Sequence, residues 1–231
     1  MDEAAICERY WHQHGRHDKS GTGKISLALY DCRRAQRDSQ AMLVPERIAS
    51  LILVSTAARL VNTIGFVENL RNRINLFIPK SIDQQIANSK ASMYTPEYLA
   101  SPDTVEHVRQ AFPTSGDRFA AGELSKRMDP TIFPRTGFIA QAIAAGWHHK
   151  SPAQLKEMAD RVGRRRIMVI HGTNDNMITF PHAEVLASEL SVDGEPVRRQ
   201  FFAGQNHIIP AEKRKEFFDL VEEMVETGTK Q

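Results

Sequence analysis

The chain has 231 residues, enough for one sizeable core or two small ones, and is 41% hydrophobic and 25% charged, as ordinary globular proteins are. Thirty Lys and Arg against 28 Asp and Glu leave a formal charge of +2, too small an excess to recruit nucleic acid or an anionic membrane. Two cysteines, Cys7 and Cys32, form no CxxC pair, so neither a disulfide framework nor a zinc site is expected, and a reducing, cytoplasmic compartment fits best.

Residues 1–23 lack hydrophobic periodicity and are rich in His, Arg, Asp and Gly, so a poorly ordered segment is expected there. It has no apolar region of a secretory signal, and no apolar run in the chain approaches the roughly 18 residues of a membrane helix. "HQHGRH" (12–17) sets three imidazoles close together without a carboxylate or Cys partner, which reads as adventitious metal affinity, and no metal or organic cofactor is expected. "SGTGKIS" departs from the phosphate-loop pattern G-x-x-x-x-G-K-[ST] at Asp18 and Ile25.

"KISLALYD" (24–31) follows the turn signal "SGTG" and reads as a strand. "CRRAQRDSQAMLV" is then helix-like until Pro45 stops it. "IASLILVST" (48–56) is nearly continuous in Ile, Leu and Val, as a strand covered on both faces should be. From Ala57 to Gly163 helical patterns follow one another. Phe66, Leu70, Ile74 and Phe77 stand at helical spacing, "PKSIDQQIANSKASMY", "SPDTVEHVRQAF" and "PRTGFIAQAIAAGW" behave similarly, and "SPDT" and "SPAQLKEM" carry the Ser-then-Pro start of capped helices. Alternation returns after Gly163: a strand (166–170), a turn and the helix "FPHAEVLASEL", a strand (196–202), the turn "AGQNH" and an amphipathic helix (210–226) whose stripe is Phe217, Phe218, Val221 and Met224–Val225. Strands alternating with helices argue a parallel sheet with helices on both faces.

In such sheets functional groups gather at the carboxyl ends of the strands. Asp175 stands there after one strand and His207 after the next. Each alone has a bland reading, a turn Asp in "GTND" and a His at a helix start. Together, on adjacent crossovers, they fit the supporting half of a nucleophile–His–acid triad, the acid orienting the imidazole.

"RIMVIHGTNDNMITFPH" followed by "FFAGQNHIIPAE" resembles the last two strand–turn units of the α/β-hydrolase fold, where the acid follows one strand as "HGxxD" and the His follows the next as "GxxH". "LVPERIASLILVSTAAR" (43–59) resembles the family's "PERV" helix end and the strand after it. The resemblance runs from Ala41 to Val225 and is nearest to capped serine hydrolases of the esterase or peptidase-like kind. It implies a partial α/β-hydrolase sheet with an inserted helical cap: a core of 24–59 and 164–231, and a cap or lid of 60–163. It also implies Asp175 as triad acid, His207 as general base, and hydrolysis of an ester- or amide-type acyl bond in a small-molecule substrate.

The expected nucleophile elbow, G-x-S-x-G, is where the sequence departs from the family. Counting back from Pro45 by a helix length lands near Asp31, in "ALYDCRRA", with no Gly on either side and no Ser. Ser26, Ser39, Ser50 and Ser55 lie within strands or helices or at a strand end. Asp31 reads either as a helix N-cap or as a carboxylate nucleophile of the epoxide-hydrolase-like kind. Residues 1–23 do not resemble the family's opening strands or its oxyanion loop, so the chain reads as a truncated or mis-spliced product, or a faulty gene model, of a capped serine hydrolase. Suitable codons for "ALYDCRR", shifted by one base, encode His-Ser-Met-Thr-Ala-Gly, close to an elbow. Sequencing the transcript across codons 24–45 tests this. The expectation is a chain that is inactive or nearly so, with an exposed sheet edge open to self-association. The rival is a non-catalytic ligand-binding or regulatory relative that keeps the cap cavity as a pocket.

Overall fold

The structure, a computed structural model, describes residues 25–30 (as backbone), 47–59, 80–104, 111–129 and 149–229. Asp31, both cysteines, the segment 1–23, the Phe66–Phe77 stripe and "PRTGFIAQAIAAGW" lie outside the described residues.

Four parallel strands form one sheet in the order β1 (Ile25–Tyr30), β2 (Ile48–Val54), β3 (Ile167–Gly172), β4 (Arg198–Phe202). Every residue of β2 and of β3 is buried, which explains why both read as continuous apolar runs. Strand pleating sends alternate residues to opposite faces. Leu51, Leu53, Ile167 and Val169 join one core with Leu155, Met158 and Val162 of α4 (Pro152–Val162) and Ala183, Leu186 and Leu190 of α5 (Phe180–Leu190). Ile52, Val54, Met168 and Ile170 join the other, with Ile209 of α6 (Ile209–Glu212) and Phe217, Val221 and Met224 of α7 (Arg214–Thr229). Each such fully buried aliphatic or aromatic side chain contributes about 1.5–3 kcal/mol. Helices therefore cover both faces, as the alternating pattern implied.

Between β2 and α4, helices α1 (Ile82–Met93), α2 (Pro96–Ala100) and α3 (Ser115–Met128) are described. Ser81 opens α1 and Ser151 opens α4, each with a reciprocal capping box to a Gln three residues on. The segment leaves and rejoins the core at neighbouring points. Arg59 bridges His149, the Lys150 N–H donates to Ala58 O at 2.9 Å, and the Arg59 guanidinium clasps Glu189 of α5 through two bonds of 2.5 and 2.7 Å.

Some expectations need correction. Ser101 does not open a helix: residues 101–104 are not helical, and its hydroxyl instead donates to Tyr98 O at the end of α2. The last helix is two, α6 and α7, broken at Lys213, whose N–H still donates to Ile209 O. Beside the break the Glu212 carboxylate accepts from the Thr95 and Asn206 N–H groups. Val225 is exposed, and the buried stripe of α7 continues instead to Gly228, which lies so close to β2 that an added Cβ would stand 2.5 Å from Ala49 O. β3 runs on to Gly172 rather than ending at Ile170, because His171 and Gly172 keep pairing with Phe201 and Phe202.

Candidate active site

The loops after β3 and β4 are laced together before any side chain is considered. Thr173 N donates to Phe202 O and Asn174 N to Gln205 O, both at 3.0 Å, and Gly204 N donates to Thr173 Oγ1 at 2.9 Å. Gly172 permits this approach: a Cβ there would lie 2.3 Å from both Gln205 O and Asn206 O. No other residue type fits, so the glycine after His171 is a packing requirement of the site.

On this scaffold Asp175 and His207 meet. His207 Nδ1 lies 2.8 Å from Asp175 Oδ2, and both side chains are fully buried. The second carboxylate oxygen, Oδ1, accepts from the Met177 and Ile178 N–H groups at 2.8 Å each. A carboxylate pinned by two main-chain N–H groups has one orientation, and its other oxygen faces the imidazole. A carboxylate only accepts, so Nδ1–H of His207 donates to Asp175.

A second imidazole reaches the same carboxylate. His171 Nε2 is 3.3 Å from Asp175 Oδ2 and 2.7 Å from Ile178 O, and the His171 side chain is fully buried. Burial pushes the His171 pKa below the ordinary 6.5, a shift opposed by Asp175 and the Ile178 carbonyl and reinforced by His207 and His182. His171 is therefore neutral at pH 7, so its 3.3 Å approach to Asp175 is not an ion pair, and its Nε2 hydrogen-bonds to Ile178 O. The carbonyl of Ile178 can only accept, so Nε2 carries the proton. That leaves Nδ1 as an acceptor with no hydrogen-bond partner among the described residues.

Two further residues hold His207. Ser55, in the left-handed region with φ 46°, donates its hydroxyl to His207 O at 2.6 Å, while its N–H donates to Ile170 O at 2.9 Å. Asn206, only 2% exposed, accepts from the His207 N–H at 2.9 Å. Sequence reading paired Asp175 with His207, and the structure brings these two together. It missed His171, Ser55 and Asn206. The only local signal was adjacency, His171 in "HGTND" and Asn206 in "QNH". Asp31, beyond Tyr30 at the end of β1, lies outside the described residues. Among the described residues no cluster of His, Cys, Asp and Glu could hold a metal ion, and no helix is long and apolar enough to cross a membrane.

Residues 146–226, which contain β3, β4, Asp175 and His207, match the model of the prolyl oligopeptidase family. A 2-hydroxy-6-oxo-6-phenylhexa-2,4-dienoate hydrolase from Rhodococcus is similar in structure, with a TM-score of 0.63, 14% identity, and coverage of 88% of this chain and 64% of that one. An α/β-hydrolase enzyme from a Medee basin deep-sea metagenome is similar with a TM-score of 0.57 and 11% identity, covering 95% of this chain and 69% of that one. The fold is that of the α/β-hydrolases. A serine hydrolase from Cycloclasticus zankles aligns on the same scaffold with a TM-score of 0.58, 16% identity, and coverage of 88% of this chain and 64% of that one. The chain thus spans less than two thirds of the length of the Rhodococcus and Cycloclasticus α/β-hydrolase-fold proteins. No curated protein matches it.

Proposed function

We propose that this chain carries the acid and base halves of an α/β-hydrolase triad, Asp175 and His207, built for cleavage of an ester- or amide-type bond. The observation that carries this is the 2.8 Å contact from His207 Nδ1 to Asp175 Oδ2 between two fully buried side chains at adjacent strand ends. Burying titratable groups costs stability unless they are paired and hydrogen-bonded, and a buried pair at strand ends is a candidate functional site. In a complete enzyme of this kind, Nε2 of His207 would take the proton of an attacking serine hydroxyl, and Asp175 would hold the tautomer and balance the imidazolium that forms. The proton would then pass from Nε2 to the leaving group. The Rhodococcus neighbour acts on a small phenylhexadienoate, which supports a small-molecule substrate or ligand for this site. Of the 60–163 cap expected from the sequence, this reading keeps the part before Lys150: the neck at Arg59, Lys150 and Glu189 supports a boundary there, and α4 packs on the sheet as part of the core.

No G-x-S-x-G sequence occurs in the chain, and Ser55, beside the pair, commits its hydroxyl to a main-chain carbonyl. The proposal is accordingly of a dyad without its serine, with turnover of p-nitrophenyl esters at the background rate. Robust turnover that His207→Ala abolishes would overturn the claim of a missing nucleophile. The dyad itself is read by nuclear magnetic resonance: a hydrogen-bonded His207 Nδ1 proton that disappears in Asp175→Asn supports it, and one indifferent to that change sinks it. One observation favours a second reading. β1 ends at Tyr30 and Asp31 follows it in the sequence, which supports a carboxylate nucleophile of the epoxide-opening kind. Epoxide hydrolysis abolished by Asp31→Asn would establish it.

A further inference from the structure

Asn206 sits between three segments and satisfies all of them. Its Oδ1 accepts from the Asn176 N–H at 3.1 Å, on the Asp175 loop, and from the His207 N–H at 2.9 Å. Its Nδ2 donates to Tyr94 O at 3.1 Å and to Ala91 O at 3.3 Å, at the carboxyl end of α1. The same corner is tied twice more. Ile208 N donates to Met93 O at 3.1 Å, and Glu212 takes Thr95 N on one oxygen at 2.5 Å and Asn206 N on the other at 3.1 Å. Orphan carbonyls at a helix end are ordinarily met by water or by a local cap. Here the last turn of α1 is met by the residue before His207.

We propose that Asn206 is a positioning residue that seats His207 and locks it to the α1–α2 corner, so that this corner and the Asp175–His207 pair shift as one unit. The chemistry of the amide makes the coupling two-sided. Its oxygen serves the site loops and its nitrogen serves the corner, so the two halves can be removed separately. The stacked rings of Tyr94 and Tyr98, with Phe119 edge-on to Tyr94, stiffen the corner from the other side. A ligand that presses on the corner is thereby felt at the His207 backbone. This rests on the reading of Asp175 and His207 as the site, but the lock itself is measurable without activity.

The test is amide hydrogen exchange on the full chain, comparing wild type with Asn206→Asp and Asn206→Ala. Asp keeps the acceptor oxygen and loses the Nδ2 donors. In Asn206→Asp the amides of Tyr94, Thr95 and Ile208 should exchange about tenfold faster, while those of Asn176 and His207 keep their protection. In Asn206→Ala both sets should open, with the β3 amides of Met168–Ile170 unchanged. Equal opening of both sets in Asn206→Asp, or no opening of either, overturns the proposal. If Asn206→Ala unfolds the chain, shown by loss of β3 protection, the split in Asn206→Asp decides alone. The His207 Nδ1 proton separates the two ideas. Its indifference to Asp175→Asn removes the dyad reading, whereas the exchange pattern judges the lock.

Discussion

The hydroxyl of Ser55 donates to the main-chain oxygen of His207 at 2.6 Å, joining residues 152 positions apart across the carboxyl ends of β2 and β4. Ser55 pays for this with a left-handed backbone at φ 46°, the only positive φ of a non-glycine among the described residues. Ser55→Ala removes one of the two hydrogen bonds that His207 O accepts, the other coming from the Ile209 N–H at 3.1 Å, and should destabilise the fold by about 0.5–1.5 kcal/mol in urea unfolding. Ser55→Gly loses the same bond but relieves the backbone, and should cost less. A fluorophosphonate probe should leave Ser55 unlabelled. Labelling at Ser55 would mean that its hydroxyl is free to attack.

Gly172 tests the packing of the two site loops. An alanine Cβ would meet two main-chain oxygens at 2.3 Å, and backbone cannot step aside as a flexible side chain can. Gly172→Ala should cost about 2–3 kcal/mol in stability and weaken the His207 Nδ1 proton signal by displacing residues 205–207. Wild-type stability in this variant would show that the loops are slack.

His171 sets a pH dependence. Unfolded, it takes up a proton near pH 6.5; folded, burial holds its pKa lower. Below pH 6.5 the unfolded chain therefore binds more protons than the native one, and stability falls with falling pH. The contribution is complete above pH 6.5 and is lost as pH drops from there towards the native pKa, with a slope of at most about 1.4 kcal/mol per unit. His171→Gln, which keeps an N–H donor and does not titrate, should flatten the melting temperature between pH 6.5 and 5. An unchanged slope would place the titration on another group.

The neck of the helical segment rests on Arg59 and Glu189, both about one-fifth exposed. A double-mutant cycle of Arg59→Met and Glu189→Gln should give a coupling of about 0.5–1 kcal/mol that weakens with salt. Coupling near zero would mean that the bidentate geometry adds nothing beyond packing.

The layered core and the approximate place of the chemistry follow from the residue pattern alone. Runs such as Ile167–Ile170 can be satisfied only by burial on both faces, and strand pleating then dictates which alternate residue meets α5 and which meets α7. An acid after one parallel strand and a histidine after the next follow from the same periodicity, which is why Asp175 and His207 were legible as a pair. What surrounds them emerges only from the packed fold. Ser55, His171 and Asn206 are small or medium polar residues whose roles depend on partners far along the chain or on the turn of a loop in space. No local pattern distinguishes a serine that donates to a carbonyl 152 residues away from one that faces water. The direction of a short polar side chain is set by whichever unsatisfied group the fold brings within 3 Å of it, and that group is known only once the strands are paired.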